Sequence, residues 1–182
     1  RASVSYLPWE NWSFNASAGF SHQLPPITAL SFRDAEGSLA NKDLDYMRVI
    51  STAVGADWKF RDRLFIGLEG FYKQFMDIPL SLETGVPLTC TAADYGSIGE
   101  EMLVSSSSGR TYGVELLVRW LIPDKLSLVG SATLYKSEYK SAKDADYIPS
   151  AWDNRFILNV SGVYDLPKYW SIGMKVSAIG GS

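Results

Sequence analysis

The feature that most constrains this chain is a two-residue hydrophobic repeat, sustained over segments as long as a tilted strand needs to cross a bilayer. Successive strand side chains point to opposite faces, so strict alternation puts one face in an apolar phase and leaves the other polar. The repeat predicts strands near 2–7, 12–22, 47–60, 63–76, 110–121, 126–139, 154–166 and 169–179. In the second, Trp12, Phe14, Ala16, Ala18 and Phe20 oppose Ser13, Asn15, Ser17, Gly19 and Ser21. In the third, Ile50, Val54, Ala56, Trp58 and Phe60 oppose Ser51, Gly55, Asp57 and Lys59. Leu64, Ile66, Leu68 and Tyr72 then oppose Glu69 and Lys73, with Phe65 and Phe71 intruding on the polar side. Val114, Leu116, Val118 and Trp120 oppose Glu115 and Arg119. The last two strands set Phe156, Leu158, Val160 and Tyr164 against Arg155 and Asn159, and Trp170, Ile172, Met174 and Val176 against Ser171 and Lys175.

The central part of the apolar, even-numbered face carries no charge. On that side charges stand near the long connections, among them Arg48, Lys136 and Glu138. A Lys or Arg at a bilayer midplane costs roughly 2–4 kcal/mol, falling to about 0–1 at the interface, so this placement suits a wall that faces lipid. Trp9, Trp12, Trp58, Phe60, Trp120, Tyr164, Tyr169 and Trp170 all lie beside short turns. Aromatic girdles of this kind mark membrane–water boundaries, where a ring finds both an apolar and a wet neighbour.

The connections alternate in length. Short ones fall at PWEN (8–11), Arg61-Asp62, IPDK (122–125) and Pro167-Lys168, each with the chemistry of a tight turn. Long ones fall near 23–46, 77–109 and 140–153 and are rich in Gly, Ser, Pro and charge, with the Ser run 105–108 expected to be flexible loop. Short periplasmic turns and long extracellular loops are the habit of outer-membrane barrels. The expected fold is therefore all-β: a partial antiparallel transmembrane β-barrel of about eight meandering strands. Two rival architectures share part of this pattern: a complete small eight-stranded barrel, and a soluble β-sandwich or lipocalin-like barrel.

Composition narrows the function. With 17 basic and 20 acidic residues interspersed, no nucleic-acid footprint is expected. One His and one Cys leave few options for a nucleophile–base pair or a metal site, so no catalytic residue, metal or cofactor is expected. No apolar run approaches the ~18 residues of a spanning helix. The chain opens at Arg1 without a charged and apolar leader, so any signal peptide is expected to lie outside it.

The stretches GRTYGVELLVRW (109–120) and YIPSAWDNRFILNVSGVYDLP (147–167) resemble late-barrel strands of TonB-dependent receptors, especially those of the Bacteroidota. HQLPP (22–26), EGFYK (69–73), the Tyr/Ser/Glu tract 135–139 and the closing IGG (179–181) follow in the matching order. The resemblance covers nearly the whole chain and implies one partial barrel domain over 1–182, lacking the family's N-terminal plug domain and TonB box. It departs from the pattern at Phe156, where relatives often carry His.

The resemblance implies an outer-membrane receptor that captures a scarce solute and imports it with TonB-derived energy. Its implied partners are outer-membrane lipid, the plug and remaining barrel of the same receptor, the TonB complex and a surface lipoprotein. A structural or adhesive outer-membrane barrel and a soluble binding module are the alternatives. Lumen-facing charges are expected at Asp57, Lys59, Glu69, Lys73, Glu115, Arg119, Arg155 and Lys175, chiefly in cross-strand pairs that hold plug or lumen water; the alternative is that some guide substrate or grip a moving plug. Solute contact is expected in the loop vestibule at His22, Gln23, Tyr95, Trp152 and Asp153.

Overall fold

Alternating sequence produces a single antiparallel sheet. The computed structural model describes residues 1–91, 99–142 and 145–181. Its strands are β1 (Ala2–Trp9), β2 (Trp12–Gln23), β3 (Met47–Phe60), β4 (Leu64–Ser81), β5 (Leu103–Ile122), β6 (Leu126–Lys140), the two-residue β7 (Ile148–Pro149), β8 (Phe156–Leu166) and β9 (Trp170–Gly180). They pair in chain order as a meander, with β7 beside β6 off the main path. β1 and β9 stand at opposite edges, so the chain is an open section of barrel wall. This removes the small closed barrel. The soluble sandwich fails as well, because the described strands form one sheet and no second sheet covers it.

Register preserves the two faces across the wall. Even residues meet even and odd meet odd in every pairing of the main path, except at the irregular pairs Trp9↔Trp12 and Ile78↔Ser107. One even row runs Tyr6, Phe14, Ala56, Leu68, Leu116, Ala132, Leu158, Ala178. A one-residue slip anywhere would turn every later side chain to the wrong face, so this continuity is what makes the apolar surface continuous. That surface is open: Val54 is 64% exposed and Leu68 55%. An apolar patch of this extent on a water-soluble monomer is rare, and hydrocarbon is the solvent that satisfies it.

The short turns obey backbone chemistry. Arg61 and Asp62 both take positive φ (48° and 53°), the mirror-image turn whose twist matches the flanking strands. Pro123 followed by Asp124 at φ 56° gives a type II turn, closed by the Lys125 N–H donating to the Ile122 carbonyl at 3.1 Å. Trp12 and Trp58 sit 6.4 Å apart between ring centroids beside these turns, as the girdle pattern predicts.

The long connections differ from expectation. β4 continues to Ser81 and β5 starts at Leu103, so the connection predicted over 77–109 shrinks to 82–102. The hairpin rises past the apolar band through an irregularity at Asp77, whose φ is 58°. The Ser run 105–108 is therefore strand and not flexible loop. Ser107 Oγ donates to the Lys140 carbonyl at 2.9 Å, and Ser105 Oγ accepts from the Asp45 N–H at 3.0 Å. Period-two hydrophobicity cannot signal a strand that lies outside lipid and under its own loops.

These loops build what core the chain has. Ala29, in the short helix α1 (Ile27–Leu30), packs with Leu88 and Leu103, and Leu44 lies against them. Asn41, 2% exposed, ties the loops together: its Nδ2 donates to the Ala29 carbonyl (2.9 Å) and the Glu101 carbonyl (2.8 Å), and its Oδ1 accepts from the Leu103 N–H (2.9 Å).

Candidate functional site

The odd face gathers the chemistry. One row places Ser5, Asn15, Gly55, Glu69, Glu115, Thr133, Ile157 and Ile179 side by side across the wall. The next row towards the short turns runs Ser13, Asp57, Gly67, Leu117, Ser131, Asn159, Ser177. Three carboxylates, on Asp57, Glu69 and Glu115, thus occupy neighbouring positions in mid-wall.

Their surroundings differ. Asp57 is served by its own wall, accepting from Ser13 Oγ at 3.1 Å and Asn15 Nδ2 at 2.9 Å, while Ser5 Oγ donates to Asn15 Oδ1 at 2.7 Å. Glu69 and Glu115 are directly opposed on β4 and β5, are exposed, and make no ion pair or hydrogen bond among the described residues. Like charges directly opposite each other in a sheet are destabilising. Small neighbours leave the pair open. A side chain at Gly55 would touch Glu69 Cβ at 3.5 Å, and one at Gly67 would come within 2.8 Å of Asp57 Oδ1. Asn15, Gly55, Asp57, Gly67, Glu69 and Glu115 line a shallow recess, and a second recess beyond Glu69 and Glu115 reaches Lys73, Phe71 and Ser51.

Seven of the eight predicted lumen charges take odd register positions on this face, whereas Arg155 precedes β8 and bridges in parallel to Gly180; the cross-strand ion pairs do not form among the described residues. The ion pairs among the described residues are Arg48–Asp77, Arg110–Glu138 and Lys136–Glu138, none of which involves the eight. The register explains why. Lys59 faces Phe65, Arg119 faces Phe65 and Val129, Lys73 faces Ser51 and Thr111, and Lys175 faces Ser161. Arg119 instead sets its guanidinium 5.4 Å from the Phe65 ring centroid, which gives that intruding aromatic a partner. Arg155 takes φ 55° at the entry to β8.

The vestibule residues are not brought together. His22 and Gln23 end β2, whereas Trp152 and Asp153 precede β8, with β3 to β6 between. His22 has even parity and packs edge-on against Phe20 with centroids 4.6 Å apart, while Gln23 has odd parity. Trp152 is 67% exposed. Asp153 is buried and accepts from the Ser137 N–H at 2.9 Å, capping the chain's return to β8; Tyr135 assists by donating its hydroxyl to the Trp152 carbonyl at 2.7 Å. Tyr95 lies outside the described residues.

Sequence reasoning missed the Arg110–Glu138–Lys136 group above the apolar band. Glu138 is nearly buried. That burial, the largest influence on its carboxyl, pushes the pKa up, but the hydrogen bonds and charges of Lys136 and Arg110 outweigh it and hold the carboxyl below its ordinary range. Even parity plus alternating charge at 136 and 138 was the available signal.

The family model described as TonB dependent receptor-like, beta-barrel matches residues 1–181. No curated protein matches as a relative by sequence. Among solved structures, the ferric-catecholate import receptor Fiu of E. coli K12 is similar with a TM-score of 0.71 and 19% identity, covering 98% of this chain and 24% of that one. The FrpB iron transporter of Neisseria meningitidis gives 0.63 and 16%, covering 95% and 25%. The alcaligin outer-membrane receptor FauA of Bordetella pertussis gives 0.63 and 15%, covering 98% and 28%. The chain spans about a quarter of the length of these structures.

Proposed function

The chain belongs to the TonB-dependent receptor β-barrel family, whose barrels lie in the outer membrane, and from that premise we propose that it is one section of wall in a solute importer. In this reading the whole receptor captures a scarce solute (a siderophore, cobalamin, glycan or peptide) at the cell surface and imports it with energy delivered through TonB. The work of this section is binding and gated passage, without bond chemistry. Its even face meets lipid, its odd face lines the lumen, and its loops form part of the vestibule.

The observation that carries the reading is the opposed, unpaired Glu69 and Glu115. Two carboxylates set side by side repel unless a cation relieves them, and a lumen filled by a plug domain supplies one. A basic side chain of the plug seated between them forms charge-assisted hydrogen bonds that are stronger than neutral ones. Asp57, already satisfied by Ser13 and Asn15, shapes the recess and needs no such partner. Solute contact in this section is assigned to exposed Trp152; Asp153 is occupied in capping the return to β8, and His22 and Gln23 end β2 four strands away. TonB and a surface lipoprotein are partners of the whole receptor.

The test uses the full-length receptor that carries this chain, reconstituted in lipid vesicles, with Glu69→Gln and Glu115→Gln combined. Hydrogen exchange in the plug should accelerate while the barrel strands stay protected. Unchanged plug protection would end the assignment. An adhesive barrel would have no plug signal to lose, so the same measurement separates the two functions.

A further inference from the structure

Three of the lumen-face charges that find no partner stand in one row, and all three are cations. The row runs Lys59, Phe65, Arg119, Val129, Ser161, Lys175 from β3 to β9 and contains no carboxylate. Arg63, at the turn that opens β4, adds a fourth cation at the same end of the wall. Lys59, Arg63 and Arg119 are exposed, and none of them enters an ion pair or a side-chain hydrogen bond among the described residues. Asp57, the carboxylate two residues from Lys59 on β3, accepts from Ser13 and Asn15 instead.

Lys59, Arg63 and Arg119 line a recess of about 410 Å³ at the short-turn end, together with Phe65, Val129 and Asp62. Three cations against one carboxylate leave the recess with surplus positive charge. Arg119 sets its guanidinium 5.4 Å from the Phe65 centroid, a contact that uses none of its five N–H donors. Lys59 and Arg119 flank Phe65 from the strands on either side, roughly 10 Å apart at the backbone. A ligand with two oxyanion groups therefore reaches both cations while its carbon skeleton lies against Phe65 and Val129. The volume is that of a small-molecule site. Lipid is excluded as the occupant by parity, since Lys59 and Arg119 are odd and point away from the apolar face. Towards mid-wall Asp57 stands one row away, about 7 Å, and Glu69 and Glu115 two rows away, about 14 Å. Their charge pushes an anion out of mid-wall and favours it in this last row before the short turns.

We propose that this recess is an exit-side binding site for a small solute carrying two or more carboxylate or phosphate groups. Lys59 and Arg119 are its principal contacts, and Arg63 is the third cation. The imported solute is then a polyanion, held at the periplasmic mouth before its release. The inference rests on the importer reading, in which the odd face lines the lumen.

The probe is benzene-1,3,5-tricarboxylate, with its neutral triamide as the control. Each is titrated by calorimetry into the purified full-length receptor in detergent micelles at low salt. The wild type should bind the tricarboxylate and leave the triamide unbound. Lys59→Gln with Arg119→Gln should weaken binding on the order of tenfold or more, while Lys59→Arg with Arg119→Lys should keep most of it. Lys175→Gln, in the same row but outside the recess, should leave the affinity nearly unchanged. A wild type that does not bind the tricarboxylate overturns the proposal, including the case in which the plug covers the recess. An unchanged affinity in the double Gln receptor overturns it too. So does an equal loss in Lys175→Gln, which would mark a diffuse field in place of a site. The importer reading fails on a different measurement, plug exchange in the Glu69 and Glu115 variant, so the two failures are distinguishable.

Discussion

The wall and the loops above it are held together by opposite strategies. From the short turns up to Tyr72 and Tyr112 the sheet has no buried core, and its apolar side chains, such as Val54 and Leu68, stand exposed. Above that level Ala29, Leu88 and Leu103 make a small core of their own, around the buried and fully bonded Asn41. The wall borrows its apolar phase from the bilayer, so a residue there is specified mainly by its face. The loops sit in water and must satisfy their own polar groups, so residues there are specified one by one.

The sharpest way to break this contrast is to reverse one side chain in the wall. Leu116→Arg or Leu158→Arg should each cost roughly 2–4 kcal/mol of insertion free energy. Ser161→Arg, on the odd face of the same strand as Leu158, should cost far less. Refolding of the full receptor into vesicles, titrated with urea, reads the difference; equal midpoints for all three would erase the distinction between faces.

A smaller effect is expected in the loops, and it should stay local. Asn41→Ala leaves two carbonyls and the Leu103 N–H without their side-chain partner. Each group left buried and unpaired costs about 1–3 kcal/mol, so amide exchange near 29 and 101–103 should quicken. The strands below should exchange as before. If they loosen too, wall and loops form one cooperative unit and the comparison fails.

The mildest expectation concerns acid. Glu138 has a folded-state pKa below its unfolded one, so its contribution is present above the unfolded pKa and is lost as pH falls through the lowered folded value. Lowering pH through the acidic range should therefore release Arg110 and Lys136 and loosen β7 and Tyr147, with the apolar band unaffected. Hydrogen exchange at the Tyr147 and Ile148 amides, measured against a Glu138→Gln receptor, follows this. The variant should lose the acid sensitivity of that segment, and its retention would point to another group.

Much of this was legible without coordinates because hydrocarbon reads only parity and length. Alternation located eight strands, put Glu69, Glu115, Arg119 and Lys175 on one face and Phe14, Leu68 and Val160 on the other, and the register keeps that division. It was silent where parity stops mattering. Ser105 and Ser107 looked like loop because a strand packed under polar loops needs no hydrophobic repeat, only hydrogen-bond partners such as Asp45 and Lys140. The predicted lumen ion pairs also failed, since face alone does not say which residue lies opposite.

The chain's own order of residues thus determined the faces, the turn positions and the absence of charge in the band, because each depends on neighbours one or two positions away. Only the tertiary structure decided that Glu69 would confront Glu115, that Asn41 would join segments 60 residues apart, and that Glu138 would sit between two cations. Those outcomes depend on register and on loops meeting from distant parts of the chain, and no local pattern carries that information.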